Sequence, residues 1–557
     1  MANQKIVGKT HTIMTNTLKT ILLAGALVSQ VSLSANAQED PLKGALENWF
    51  NLSYSQDNVY GVGTEQAYKE VLKGKKSKKV VVAVIDSGID IDHEDLKSVI
   101  WVNPKEIAGN GVDDDKNGYI DDVNGWNFIG GEGGTFVNEE NLEVARMYGT
   151  LSKKYAGKDE SDIAKSDKKE YKLWLEVKES FETGFAEAQE NLERYDFLLH
   201  QFNRGKALFM AYFDLESEEE LLGALETLKT EDETLTRMSG MVAGMLSRGV
   251  SADRIQEGVD YFKDQVEYNY NPDLNTREIV GDDIDNKKQK IYGNNGVTGP
   301  DALHGTHVAG IIGAARGNNL GIEGVADNVE IMVIRAVPNG DERDKDVANA
   351  IRYAVDNGAR VINMSFGKPF SPYKSDVDAA VKYADSKGVL LIHAAGNDNK
   401  NTDVERNFPK DKYLKGGSAR NWIEVGASTW HIDETLPATF SNYAKKNVDL
   451  FAPGYNIYST VPGSEYQALN GTSMASPVVA GCAAVLMSYY PNLSGATVKK
   501  ILMKTVTPLK SKEVFKPGYE SLEEGEEPET VKFGTLSITG GVINLYEACK
   551  YAEKISK

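Results

Sequence analysis

The chain has 557 residues, 62 of them basic and 82 acidic, for a formal net charge of −20. With 41% hydrophobic and 26% charged residues it has a soluble globular composition, which excludes a collagen-like, coiled-coil or disordered chain. The acidic balance argues against nucleic-acid phosphates as a partner. Two cysteines, Cys482 and Cys549, cannot form a disulfide framework, so the fold must rest on its core, with both thiols expected reduced and packed.

Residues 1–37 carry Lys5, Lys9 and Lys19 and no acid, then an apolar stretch from Ile21 to Val28 and the sequence Ala35-Asn36-Ala37. This is the pattern of a secretory signal peptide, with Met14 as an alternative start and an uncleaved anchor as the competing reading. The protein is therefore expected to be exported, to a periplasm or the extracellular space. No later segment reads as a membrane span. Residues 38–78 form an N-terminal segment of 41 residues.

The apolar run Lys79–Ile85 reads as a strand buried on both faces, and similar runs recur at Val329–Val337, Arg360–Ser365, Val389–Ala394 and Ile423–Gly426. Helix-like stretches at Asp344–Asn357 and Asp376–Ser386 alternate with them, ending at Gly358 and Gly388. Strand and helix in alternation predict an α/β fold with a parallel sheet, whose sites gather at the carboxyl ends of the strands. From Glu139 to Asp264 the rhythm changes: 126 residues lack proline, hold 28 acids against 17 bases, and place Leu173, Val177, Phe181 and Phe185 at helical spacing. Residues 136–292 are read as an acidic helical insertion between a first segment, 79–135, and a second, 293–557, of one domain. The chain leaves after the strand bearing Asp86 and returns before His304, so the insertion is expected near the cleft. Glu520–Glu529 reads as an acidic surface loop.

Several positions carry chemistry. Asp86 directly follows the first buried strand, where ligands collect, although a turn or capping Asp would look alike. Asp113-Asp114-Asp115-Lys116-Asn117-Gly118-Tyr119-Ile120-Asp121 spaces oxygen ligands as a calcium loop does: Asp113, Asp115, Asn117, the Tyr119 carbonyl and Asp121, with glycine at the sixth position. Asn124 stands where an EF-hand has its bidentate Glu, and a solvated acidic loop is the alternative. A structural Ca2+ is the cofactor expected.

His304 opens the small-residue helix His304-Gly305-Thr306-His307-Val308-Ala309-Gly310 and can act as a general base. Gly305 occupies the place of a zincin's Glu, which counts against a metal, and His307 is read as structural. Asn397, in Ala394-Ala395-Gly396-Asn397, can donate to an oxyanion or serve as a turn residue. Ser473, in Asn470-Gly471-Thr472-Ser473-Met474-Ala475-Ser476-Pro477, precedes an apolar helix whose N-terminus favours developing negative charge; a plain N-cap is the alternative.

The blocks Val84–Gly88, His304–Gly310, Ala394–Asn397 and Gly471–Pro477, in the order Asp, His, Ser, resemble the signatures of the subtilisin-like serine proteases, the subtilases. The resemblance covers roughly residues 79–130 and 293–510 and a closing Gly540–Asn544 segment. It implies a subtilisin-like, mostly parallel sheet with helices on both faces. It also implies an exported serine endopeptidase acting on proteins or peptides as a monomer. In that family's terms Ser473 is the nucleophile, His304 the base, Asp86 the orienting carboxylate and Asn397 the oxyanion donor, beside the Ser473 N–H. Ser365, Phe366 and Gly367, with Ala395 and Gly396, correspond to the substrate-binding edge. The Asp86–His304 gap of 218 residues departs from compact members, residues 38–78 are short for a folding pro-domain, and no accessory C-terminal domain is expected. A triad esterase would lack its G-x-S-x-G elbow here, and a catalytically silent scaffold would have kept all four chemical positions without need of them.

Overall fold

The computed structural model describes residues 47–522 and 525–556; the expected signal peptide, 1–37, lies outside the described residues. The described chain forms two compact units, residues 47–138 with 275–556, and residues 139–274.

The first unit is built on strands β1 (Val80–Asp86), β2 (Gly125–Asn127), β3 (Val329–Arg335), β4 (Val361–Met364), β5 (Leu390–Ala394), β6 (Trp422–Ser428) and β7 (Leu450–Pro453). An antiparallel hairpin, β8 (Ile457–Val461) with β9 (Glu465–Leu469), follows. The short strands β10 (Thr507–Pro508), β11 (Glu513–Phe515), β12 (Thr530–Lys532) and β13 (Gly541–Val542) complete the set. Nine strands make one sheet in the order β10-β13-β7-β6-β5-β4-β1-β3-β2, and within it only the β10–β13 pairing is antiparallel.

Side chains alternate across a strand, so β1 feeds two cores: Val82 and Val84 join one, Ala83 and Ile85 the other. This is why the run carries no polar residue before Asp86. Each such fully buried Val or Ile contributes about 1.5–3 kcal/mol relative to exposure. Helices α6 (Leu303–Gly313), α9 (Thr472–Tyr489), α10 (Gly495–Lys504) and α11 (Leu545–Ser556) pack in the first core. Helices α7 (Asp344–Asp356) and α8 (Lys374–Lys387) pack in the second. Gly388 is the left-handed cap of α8, φ 77°, as its position predicts.

Helix α9 is, among the described residues, the one long and apolar enough to cross a bilayer, but 89% of that window is buried inside the unit. Both cysteines are free and buried, Cys482 on α9 and Cys549 on α11. The N-terminal segment belongs to the same core: Trp49, Phe50 and Val62 are fully buried, and the Leu545 N–H donates to the Val62 carbonyl.

The second unit is helical: α1 (Glu143–Tyr155), α2 (Lys168–Phe213), α3 (Glu218–Thr227), α4 (Glu233–Leu246) and α5 (Ala252–Asp264). The 46-residue α2 buries Tyr171, Trp174, Val177, Phe181, Ala188, Tyr195, Phe202 and Phe209, a stripe at three-, four- and seven-residue steps that packs on the other helices. Asp232 caps α4 through the Thr234 and Leu235 amides, and Ser251 caps α5 through Arg254.

The boundaries 136 and 292 read from sequence move inward, because the polar segment 275–292 folds with the sheet. Buried Arg277 pairs with Asp282 at 2.5 Å and Asp346 at 2.8 Å, and the Tyr292 hydroxyl donates to Asp346 at 2.7 Å. A buried guanidinium needs those carboxylates, and α7 supplies one of them. Polarity and a lack of apolar periodicity made this clasp look like part of the insertion.

Candidate active site

Asp86 is the last residue of β1 and only 2% exposed. Its Oδ1 accepts from the Ser87 amide at 2.8 Å and from His304 Nδ1 at 2.7 Å. Its Oδ2 is buried with no hydrogen-bond partner. His304 is the second residue of α6, and that helix is drawn against β1 by Gly305. A Cβ on Gly305 would lie 2.1 Å from the Gly88 carbonyl oxygen and 3.2 Å from the Asp86 Cβ, so no larger residue permits the approach.

Burial opposes the charged imidazolium of His304, but the charge of Asp86 and its hydrogen bond outweigh it and raise the pKa above the ordinary value. His307, one turn on, has no such partner. Its Nε2 faces the Gln467 carbonyl at 3.0 Å, and burial pushes its pKa down to about 3, so it stays neutral beneath the β8–β9 hairpin.

Gly471 is the N-cap of α9, which places Ser473 in the first turn rather than at the cap. The Ser473 hydroxyl donates to the Ser365 carbonyl at 3.1 Å. Apo catalytic contacts are commonly loose, and rotation about one torsion re-aims this hydroxyl. The Ser473 N–H is one of the helix's orphan donors.

Asn397 follows β5. Its Oδ1 accepts from the Thr472 amide at 2.8 Å and the Thr472 hydroxyl at 2.9 Å. With the oxygen committed twice, the Nδ2 donors are left for another acceptor; the amide orientation follows from that network. Gly396 makes the turn at φ 101°, and a Cβ there would lie 2.4 Å from Asn442 Nδ2. Asn442 holds the turn, donating to the Ala395 carbonyl at 2.9 Å and accepting from the Asp398 and Lys400 amides.

Ser365, Phe366 and Gly367 extend β4 past its last paired residue. The Ser365 hydroxyl donates to the Ser473 carbonyl at 2.9 Å and meets Ser476 Oγ at 2.8 Å, while Asn363 Nδ2 donates to Ser365 Oγ at 2.9 Å. Lys368 and Phe408 exchange backbone hydrogen bonds on the far side. Sequence reading singled out Asp86, His304, Asn397 and Ser473 as candidates but gave no role to Asn442, Thr472, Asn363 and Ser476, which hold the segments around them. Thr472 and Ser476, inside the Ser473 block, and Asn363, inside the run Arg360–Ser365, had a local signal; Asn442 had none.

Arg335, 1% exposed, donates to the Ser87 carbonyl at 2.7 Å and the Val137 carbonyl at 2.6 Å. Arg335 thus ties Val137 to the turn that follows Asp86. A cavity of about 910 Å³ is lined by Arg420, Lys499, Lys500, Lys504 and neighbours and holds none of these groups.

At the acidic loop, carboxylate oxygens of Glu106, Asp113 and Asp115 come within 4.8 Å of one another. Glu106 Oε1 accepts from the Asp114 and Asp115 amides, whereas its Oε2 is buried without a partner. The Asn117 and Gly118 amides fold the loop around Asp113 at 3.0 and 2.7 Å. Asn117 is turned inward, its Oδ1 accepting from the Tyr119 amide and its Nδ2 donating to Asp122. Asp121 departs from the expected ligand set: its carboxylate accepts from the Asn110 and Gly111 amides at 3.2 and 2.8 Å. A left-handed backbone, φ 52°, directs it there. Glu106 takes its place in the cluster, seven residues before Asp113 and outside any spacing rule for such loops. Three carboxylates with an orphaned oxygen suit a hard cation bound by oxygen.

Fold and site together define an α/β protein with an Asp-His pair and a helix-borne serine at the carboxyl edge of a mostly parallel sheet. The chain belongs to the subtilase family, whose pattern it matches over residues 77–522. It is 40% identical over 245 residues to the thermophilic serine proteinase of Bacillus sp. (strain AK1), covering 43% of this chain and 53% of that one. It is 37% identical over 221 residues to subtilisin Savinase of Lederbergia lenta, covering 40% and 76% respectively. The crystal structure of a cold-adapted subtilisin-like serine proteinase shares 30% identity over 39% of this chain and 72% of its own, at a TM-score of 0.33. The chain spans about half the length of the Bacillus relative.

Proposed function

We propose that this chain is an exported serine endopeptidase. Ser473 Oγ attacks the peptide carbonyl carbon while His304 Nε2 takes its proton. The tetrahedral oxyanion is held by Asn397 Nδ2 and the Ser473 N–H. His304 then gives the proton to the leaving amine, and water resolves the acyl-Ser473 ester by the same steps in reverse. Asp86 keeps the Nδ1–H tautomer and balances the imidazolium. The extended segment Ser365–Gly367, with Ala395 and Gly396 opposite, takes the peptide as an added strand.

The observation that carries the reading is the 2.7 Å bond from His304 Nδ1 to Asp86. It leaves a partly exposed imidazole with one nitrogen committed and the other available. Purified protein is expected to hydrolyse casein, to lose that activity on reaction with a fluorophosphonate, and to lose about 10⁶-fold in kcat in Ser473→Ala without a change in melting temperature. Undiminished proteolysis by Ser473→Ala would overturn the assignment. Hydrolysis of small esters but of no peptide would point instead to an esterase.

Ca2+ is proposed at Glu106, Asp113 and Asp115, with the side chain of Asn117 and the Tyr119 carbonyl as further candidate oxygens. The ion's part is structural: it neutralises acids that otherwise repel at short range. The signal-like residues 1–37 support export.

A further inference from the structure

The sheet holds a second histidine–carboxylate pair, two strands from the first. His393 on β5 is fully buried. It lies directly across from Glu424 on β6 and from Met364 on β4. Its Nδ1 is 2.9 Å from Glu424 Oε1, and its Nε2 is 2.8 Å from the Phe366 carbonyl oxygen. Glu424 Oε2 accepts from Trp422 Nε1 at 2.8 Å, and the Trp422 ring packs 5.3 Å from the imidazole.

Hydrogen-bond valence decides what this chain of contacts does. A carbonyl only accepts, so Nε2 carries a hydrogen. An indole N–H only donates, so Oε2 is an acceptor. One proton remains between Nδ1 and Oε1, and on either atom it leaves the Nε2–H donating to Phe366. The neighbours Leu391, Ile392, Ile423 and Val425 are apolar and fully buried. An imidazole and a carboxylate in that layer lose their hydration, a cost that apolar residues of similar volume would avoid.

What the pair secures is backbone direction. Successive carbonyls of an extended segment point to opposite sides. Drawing the Phe366 carbonyl inward to His393 therefore turns the Ser365 carbonyl outward, where it receives the Ser473 hydroxyl at 3.1 Å. We infer that His393, held by Glu424 and Trp422, is a positioning residue that sets the peptide-binding edge Ser365–Gly367 in register with Ser473. This rests on the endopeptidase reading.

The test compares an extended peptide substrate with p-nitrophenyl acetate, which needs no binding edge. In His393→Leu/Glu424→Leu, which strands no buried charge, KM for a tetrapeptide anilide should rise about ten-fold while ester turnover and the rate of fluorophosphonate labelling hold. Glu424→Gln should restore the wild-type KM, because a carboxamide can accept from Trp422 and donate to Nδ1, keeping the Nε2–H on Phe366. If the double variant does not fold, Trp422→Phe removes the indole N–H from Glu424, at the cost of a smaller buried ring, and should raise the peptide KM about two- to three-fold. Equal losses on ester and peptide, or a lowered melting temperature with unchanged KM, would overturn the inference. Wild-type protein that neither cleaves peptides nor reacts with the fluorophosphonate would instead sink the endopeptidase reading on which it stands.

Discussion

His304–Asp86 and His393–Glu424 are the same contact made twice, Nδ1 to a carboxylate oxygen at 2.7 and 2.9 Å. They differ in the other ring nitrogen. His304 has a side chain 37% exposed and makes no second protein contact through Nε2, whereas His393 is 0% exposed and its Nε2 is committed to Phe366. A carboxylate faces Nδ1 in both, while the second nitrogen is open in His304 and spent on a backbone carbonyl in His393, the difference that separates the proposed proton carrier from the proposed backbone holder. His307 completes the series: buried with no carboxylate, it is driven to its neutral form.

The comparison is most sharply broken at Asp86. Asp86→Asn should lower kcat by about 10⁴-fold, because the amide can favour the wrong imidazole tautomer. The residual activity should carry a shifted pH profile. In the intact pair the raised His304 pKa places the acid limb above the ordinary imidazole value, since the base must be neutral and is lost as pH falls through that point. Without the Asp86 charge, burial is opposed only by the weaker pull of Asp301 and the limb moves to lower pH; a limb that stays put would mean that Asp86 does not govern His304. Asn397→Ala tests the far side of the same site. It should reduce kcat by about 100- to 1,000-fold with little change in KM, as loss of an oxyanion donor does. A change confined to KM would reassign Asn397 to substrate binding.

The smallest expected effect lies at the acidic loop, where carboxylates have no histidine to answer them. Calcium at about 100 times its Kd should stabilise the folded state by about 2.7 kcal/mol, read as a higher melting temperature than in EDTA. Glu106→Gln and Asp113→Asn should abolish that difference while leaving the triad intact. Asp121→Asn, which alters a loop-closing carboxylate, should retain the calcium response. Equal melting temperatures with and without calcium would remove the proposed ion.

The four signature blocks were legible because each couples a buried strand or helix to a reactive residue at its end, a pattern local in sequence. Asp86 ends its strand and Ser473 opens its helix, as their neighbours dictate. The helical character of residues 139–264 was legible for a related reason: one apolar stripe at helical spacing is enough to declare it. The clasp 275–292 was not, because what docks Arg277 and Tyr292 onto the sheet unit is Asp346 on a helix distant in sequence.

By itself, then, the sequence determined the alternation of strands and helices, the family, the four candidate residues Asp86, His304, Asn397 and Ser473 and the presence of an acidic loop. These follow from periodicity and from short motifs whose residues touch near neighbours. Only the tertiary structure decided which side chains aim those groups, that Glu106 rather than Asp121 joins the carboxylate cluster, and that His393 faces a backbone carbonyl. Such assignments depend on contacts between residues far apart in sequence, such as Asn397 with Thr472 and Glu424 with His393. Parallel strands bring their ends together only after the intervening helices have crossed, so no local spacing records which side chains will meet.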